Sequence, residues 1–133
     1  MGSRLEKLRT NMKEVKVLYV EDEENVRAQT LIFLKKIFTN IESASDGEEG
    51  LSLFKKNRYS LIITDLKMPK MNGREMLEHI RILDQDTIFI VMTASDSNID
   101  ASETISDAYM HKPVMFMEFI EQLEGLRERL TKR

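Results

Sequence analysis

Three short runs of nearly unbroken apolar residues constrain this chain most: Val15 to Val20, Leu61 to Thr64 and Thr87 to Met92. A strand with one wet face alternates apolar and polar side chains, so runs like these need cover on both faces. That points to a parallel sheet held between two layers of helices. Segments with helical spacing lie between the runs. Glu24 to Phe38 carries Val26, Thr30, Leu34, Ile37 and Phe38, and Glu48 to Asn57 carries Leu51, Leu53 and Phe54 behind an Asp46-Gly47 turn. Arg74 to Leu83 carries Met76, Leu77, Ile80 and Leu83 behind Asn72-Gly73. Ile41 to Ser45 and Ala108 to His111 read as two further strands, and Met115 to Leu130 as the last helix. Ser97 to Asp107, polar and weakly patterned, occupies the place of a fourth helix. The alternation predicts an α/β fold: a doubly wound, five-stranded parallel sheet with helices on both faces, joined by right-handed crossovers. Ligands bind such a sheet at the carboxyl ends of its strands.

Composition narrows the chemistry. The 133 residues suit one domain, read here as residues 15–131, with 1–14 as an N-terminal extension or linker. There is no cysteine, which excludes disulfides, thiolate metal sites and thiol catalysis. The balance of 20 basic against 23 acidic residues, net −3, argues against a chain whose whole surface binds nucleic acid. The longest apolar run, Ile88 to Met92, is far too short to span a membrane. Met1-Gly2-Ser3 is followed by Glu6 where an acylation signal wants Ser or Thr. A cytoplasmic protein is the expectation.

The residues that close the strands decide what the rim can do. Strand one runs into Glu21-Asp22, strand three into Asp65, strand four into Thr93-Ala94-Ser95 and strand five into Lys112-Pro113. A parallel sheet gathers them on one edge. Carboxylates packed together repel unless a hard cation sits among them. Oxygen-only ligands point to Mg²⁺, which keeps several of its waters. Beside a lysine, such a site suits a phosphoryl group, with Asp65 placed to attack phosphorus. Opposite charges on one rim should also draw Lys112 toward Asp65 before any phosphoryl group arrives.

Leu18-Tyr19-Val20-Glu21-Asp22-Glu23, the long segment Leu61 to Gly73 around Thr64-Asp65 and Met68-Pro69, Val91-Met92-Thr93-Ala94 and Tyr109-Met110-His111-Lys112-Pro113 together resemble the receiver domain of two-component response regulators. The resemblance covers about residues 15 to 130 and implies the flavodoxin-like receiver fold. It implies that Asp65 is the phosphoacceptor. It implies that Glu21, Asp22, Asp65 and the backbone carbonyl of Lys67 hold Mg²⁺, directly or through water. Thr93 through its hydroxyl, Ala94 through its N–H and Lys112 through its ammonium would bind phosphoryl oxygens. Thr93 and Tyr109 would form the switch, and the Lys112–Pro113 peptide would be cis, a form open chiefly to proline. A sensor histidine kinase and an output domain or protein are the implied partners, with no direct contact to nucleic acid or membrane.

The alternative in another class is a Mg²⁺-dependent phosphatase of the haloacid dehalogenase type. That chemistry wants a second aspartate two residues after the first, where this chain has Lys67. The chain also departs from the receiver pattern. The first acidic position is Glu21 where Asp is commoner, and Lys67 and Ser95 offer no carboxylate or amide to position an attacking water. Thr93 and Lys112 are 112 − 93 = 19 apart. That is short of the usual spacing by almost one helical turn, about three residues. A short, mobile fourth helix within 95–107 is therefore expected. Phe116, Phe119, Leu123, Leu126 and Leu130 form a long apolar stripe, a core face that could continue into pairing with a second chain. Leu5, Leu8, Met12 and Val15 repeat at 3-4-3 spacing in the extension.

Overall fold

A computed structural model of the chain describes residues 2–94 and 105–132. The elements are α1 (Gly2–Asn11), β1 (Lys16–Val20), α2 (Glu24–Leu34), β2 (Asn40–Ala44), α3 (Gly47–Asn57), β3 (Leu61–Thr64), α4 (Gly73–Leu83), β4 (Ile88–Thr93), β5 (Ala108–His111) and α5 (Phe116–Thr131). The five strands pair in the order β2-β1-β3-β4-β5, every pair parallel.

Successive strand side chains point to opposite faces, and the apolar runs divide accordingly. Val17, Tyr19, Leu61, Ile63, Ile88, Ile90 and Met92 face one layer, with Leu34 of α2 and Phe119 and Leu123 of α5. Leu18, Val20, Ile62, Phe89 and Val91 face the other, with Leu51 and Phe54 of α3 and Met76, Leu77 and Ile80 of α4. The expected short helix within 95–107 falls on positions 95–104, outside the described residues.

Two elements differ from the sequence expectation. The helix expected over Glu24 to Phe38 stops at Leu34, where the chain tightens: Lys36 N–H donates to Phe33 C=O and Ile37 N–H to Leu34 C=O. Ile37 and Phe38 stay buried because that turn still directs them inward. The second difference lies at the N-terminus. The segment 1–14, set apart above as an extension, carries α1, and Leu8 and Met12 lie in the same core as Leu126 and Leu130. Arg4 forms a two-pronged ion pair with Glu124, at 2.6 and 2.9 Å, and Arg9 Nη1 donates to the Lys35 carbonyl at 2.7 Å. A ten-residue helix is marginal alone, so packing on α2 and α5 is what holds it. The same packing takes up most of the apolar stripe of α5: Phe119, Leu123, Leu126 and Leu130 are buried within this one chain, and Phe116 is half-buried.

Leu8→Ala is therefore expected to destabilise the whole domain by about 2–4 kcal/mol. Urea unfolding measures this. A loss below about 0.5 kcal/mol, typical of a surface site, would show that α1 does not belong to the core.

Candidate phosphoacceptor site

The sheet brings four of the strand-end residues together. β1 and β3 are neighbours, with Val20 opposite Thr64, so Glu21 and Asp65 emerge side by side. β5 borders β4, and the backbone N–H of Lys112 donates to the carbonyl of Thr93 at 2.9 Å. Lys112 then reaches back across the rim. Its Nζ donates to Glu21 Oε1 at 2.7 Å and to Asp65 Oδ2 at 2.9 Å. The attraction to Asp65 expected from charge is present, and Glu21 shares it. The longer side chain of Glu at this position lets it reach the ammonium; no local pattern marks this contact, because the two residues are 91 apart.

Asp65 is held from below as well. Its Oδ1 accepts the backbone N–H groups of Leu66 at 2.6 Å and Lys67 at 3.3 Å, and its own N–H donates to Val20. Glu21 is almost fully buried and its Oε2 accepts the N–H of Glu23 at 3.1 Å. Asp22 is exposed beside them. Thr93 is buried at the strand end, and Ala94 is exposed. Tyr109 is half-buried against the α3–α4 side of the core and meets His111 edge-on at 5.5 Å between ring centroids. The Lys112–Pro113 peptide is cis. Lys67, two residues after Asp65, is exposed.

Burial pushes the Lys112 ammonium down, but its hydrogen bonds to Glu21 and Asp65 and their charges outweigh this and hold it above the ordinary lysine value. A raised pKa in the folded state means that the stabilisation is complete below the ordinary value of 10.5. It is lost only as alkali carries the pH through the raised value. Under the rim, burial pushes the Tyr19 phenol up to about 12, partly offset by Thr30, so it stays neutral beside the carboxylates.

Removing the lysine leaves two carboxylates facing each other with no countercharge. Lys112→Ala is expected to cost about 3 kcal/mol of stability, against at most about 1 kcal/mol for Lys70→Ala, whose pair with Asp46 is exposed on the lysine side. Equal losses in urea unfolding would mean that the Lys112 bridge is not built as described.

The loop from Asp65 to α4 is closed by its own capping. Asn72 and Glu75 form a reciprocal capping box, and the N–H of Gly73 donates to Leu66 C=O at 2.8 Å. The N-terminus of α3 braces the same loop: Gly47 N–H donates to Met71 C=O at 3.1 Å. Asn72-x-x-Glu75 matches the capping signature and was open to sequence reading. The Gly47–Met71 bond left no local signal. Arg27 was also missed. It sits in the first turn of α2 and donates from Nη1 to the Glu21 carbonyl at 2.9 Å.

A cavity of about 680 Å³ opens beside the rim between α2 and the start of α5. Val26, Phe33, Pro113 and Phe116 line it, and Lys112 and Ala94 are shared with the rim. Among the described residues no three acidic or histidine side chains are gathered closely enough to hold a metal as they stand. The donor set still suits a hard cation. Glu21 and Asp65 already share one bound positive charge, Asp22 lies alongside, and Mg²⁺ is commonly held by only one or two carboxylates plus water. No described helix is long and apolar enough to cross a membrane.

Comparison with known proteins places this geometry among relatives. The family model for the response regulator receiver domain matches residues 17–124. Among curated proteins, the chain is 30% identical over 118 residues to the regulatory protein VanRB of Enterococcus faecalis, covering 86% of this chain and 53% of that protein. It is 33% identical over 124 residues to the probable transcriptional regulator ycf27 of Porphyridium aerugineum, covering 91% and 51%. The chain thus spans about half the length of these relatives. Among solved structures, the N-terminal domain of an uncharacterized Wolinella succinogenes protein matches with TM-score 0.79 and 34% identity, covering 90% of this chain and 99% of that one. The response regulator TrrA of Thermotoga maritima, solved in complex with Mg²⁺-BeF, matches with TM-score 0.75 and 32% identity, covering 84% and 98%.

Proposed function

The chain belongs to the response regulator receiver domain family, and from that premise we propose that it is a phosphoacceptor switch of a two-component system. The observation that carries this reading is the Glu21–Lys112–Asp65 bridge: one ammonium neutralises two carboxylates at the strand ends, with the Asp65 side chain still 12% exposed. Asp65 acts as nucleophile. One of its carboxylate oxygens attacks the phosphorus of a phosphohistidine on a sensor histidine kinase, the N–P bond breaks, and the imidazole leaves and regains its proton. Lys112, kept protonated by its partners, transfers its hydrogen bonds from the carboxylates to a phosphoryl oxygen. Thr93 and the N–H of Ala94 take the others. Tyr109 follows Thr93, and the surface around it is what an output partner reads.

Glu21, Asp22, Asp65 and the Lys67 carbonyl are the groups that would hold Mg²⁺. When bound, the ion supplies charge neutralisation at the phosphoryl oxygens. The Thermotoga relative was solved in complex with Mg²⁺-BeF, which supports Mg²⁺ as the ion. The cavity beside Lys112 gives a donor protein an apolar seat next to the acceptor. We place the switch in the cytoplasm, as a domain that accepts and slowly loses its phosphoryl group, not an independent enzyme, and without direct contact to nucleic acid or membrane.

A phosphatase of the dehalogenase type needs a general acid where the exposed Lys67 stands. Incubation with a small phosphodonor and Mg²⁺ separates the two readings. A receiver takes up one phosphoryl group and holds it, whereas repeated release of phosphate from added esters would favour the phosphatase.

A further inference from the structure

Glu21 is fixed at every polar atom. Its N–H donates to Ala44 C=O, Oε1 accepts from Lys112, Oε2 accepts from Glu23 N–H, and its carbonyl accepts from Arg27 Nη1. The last bond is the unexpected one. Arg27 follows four consecutive acidic residues, Glu21 to Glu24. Yet among the described residues its guanidinium forms no ion pair with any carboxylate. It is half-buried and directed onto a backbone carbonyl instead.

That carbonyl belongs to the peptide joining Glu21 to Asp22. Holding it fixes the peptide plane and so the position of the Asp22 Cα, from which its side chain leaves the backbone. No hydrogen bond from a described residue holds the Asp22 carboxylate, which stands exposed at the rim. We propose that Arg27 is a positioning residue for the acidic loop, presenting Asp22 and Glu21 to a hard divalent cation. This rests on the cation-assisted phosphoacceptor reading above. Groups that orient metal ligands from behind typically change metal affinity by about 10–100-fold.

The sign of the effect separates positioning from plain electrostatics. Deleting a positive charge beside carboxylates should by Coulomb's law tighten cation binding. Loss of a positioning contact should weaken it. The probe is Mn²⁺, titrated into the full chain and followed by the electron paramagnetic resonance of the free ion, with Mg²⁺ as competitor. Arg27→Ala is expected to weaken Mn²⁺ binding about tenfold. Arg27→Lys should recover most of the affinity, since an ammonium can donate to the same carbonyl. Urea unfolding of each variant, run alongside, confirms that the protein titrated is folded. Unchanged or tighter binding by folded Arg27→Ala overturns the proposal, as does equal weakening in Arg27→Lys. If the parent chain binds no Mn²⁺, and Asp22→Ala behaves like the parent, the cation reading itself falls and the proposal falls with it.

Discussion

Asp65→Asn is expected to abolish phosphorylation by a small phosphodonor in the presence of Mg²⁺. The substitution is nearly isosteric, so the amide oxygen can keep the N–H bonds of Leu66 and Lys67 that now go to Oδ1. What it removes is the nucleophile. It also turns an NH₂ group toward the Lys112 ammonium, which now sits 2.9 Å from Oδ2, so donor would face donor. Lys112 should then rest on Glu21 alone. Intact-mass spectrometry of parent and variant after the same incubation reads the result, and equal phosphoprotein yields would place the acceptor elsewhere.

Gly73→Ala is the second change with a large expected effect, and its cause is space. The φ of Gly73 is not positive, so its backbone conformation is open to any residue. A Cβ there would overlap the carbonyl oxygen of Asp65 and come within 3.0 Å of the Asp65 carbonyl carbon and Leu66 Cα. All three are backbone atoms, with no flexible side-chain end to yield. Either α4 must lift, breaking the Gly73–Leu66 bond, or Asp65 must move away from Lys112. A loss of about 3 kcal/mol or more is expected, together with a phosphorylation rate well below that of the parent at temperatures where the variant is folded. Ordinary stability in urea and a parental rate would show that the loop has room the geometry denies.

The strands were legible because burial on both faces writes itself into composition. Leu61 to Thr64 and Ala108 to His111 come out with the expected bounds, and the others within a residue. Helix ends were less so. Ile37 and Phe38 continue the apolar spacing of α2 although the helix has ended, because a tight turn can bury the same side chains. The N-terminal helix showed its 3-4-3 spacing, but spacing in a terminal segment does not say what covers it; Leu8 and Met12 find that cover on elements far along the chain. The rim was legible in its members, since strand ends of a parallel sheet must converge. Its wiring was not. Glu21 to Lys112 spans most of the chain, and Arg27 spends its charge on a carbonyl that no side-chain pattern reveals.

The central claim is a covalent one, that the phosphoryl group is carried by the carboxylate of Asp65, and a chemical trap tests it most directly. The chain is incubated with a small phosphodonor and Mg²⁺, reduced with borohydride, digested, and its peptides are sequenced by mass spectrometry. Borohydride reduces an acyl phosphate to an alcohol, so an aspartyl phosphate is converted to homoserine at the position that carried it. The account predicts homoserine at position 65 alone, dependent on Mg²⁺. Homoserine at Asp22, stable phosphate on a hydroxyl or histidine, or no modification under conditions that phosphorylate a related receiver would contradict it.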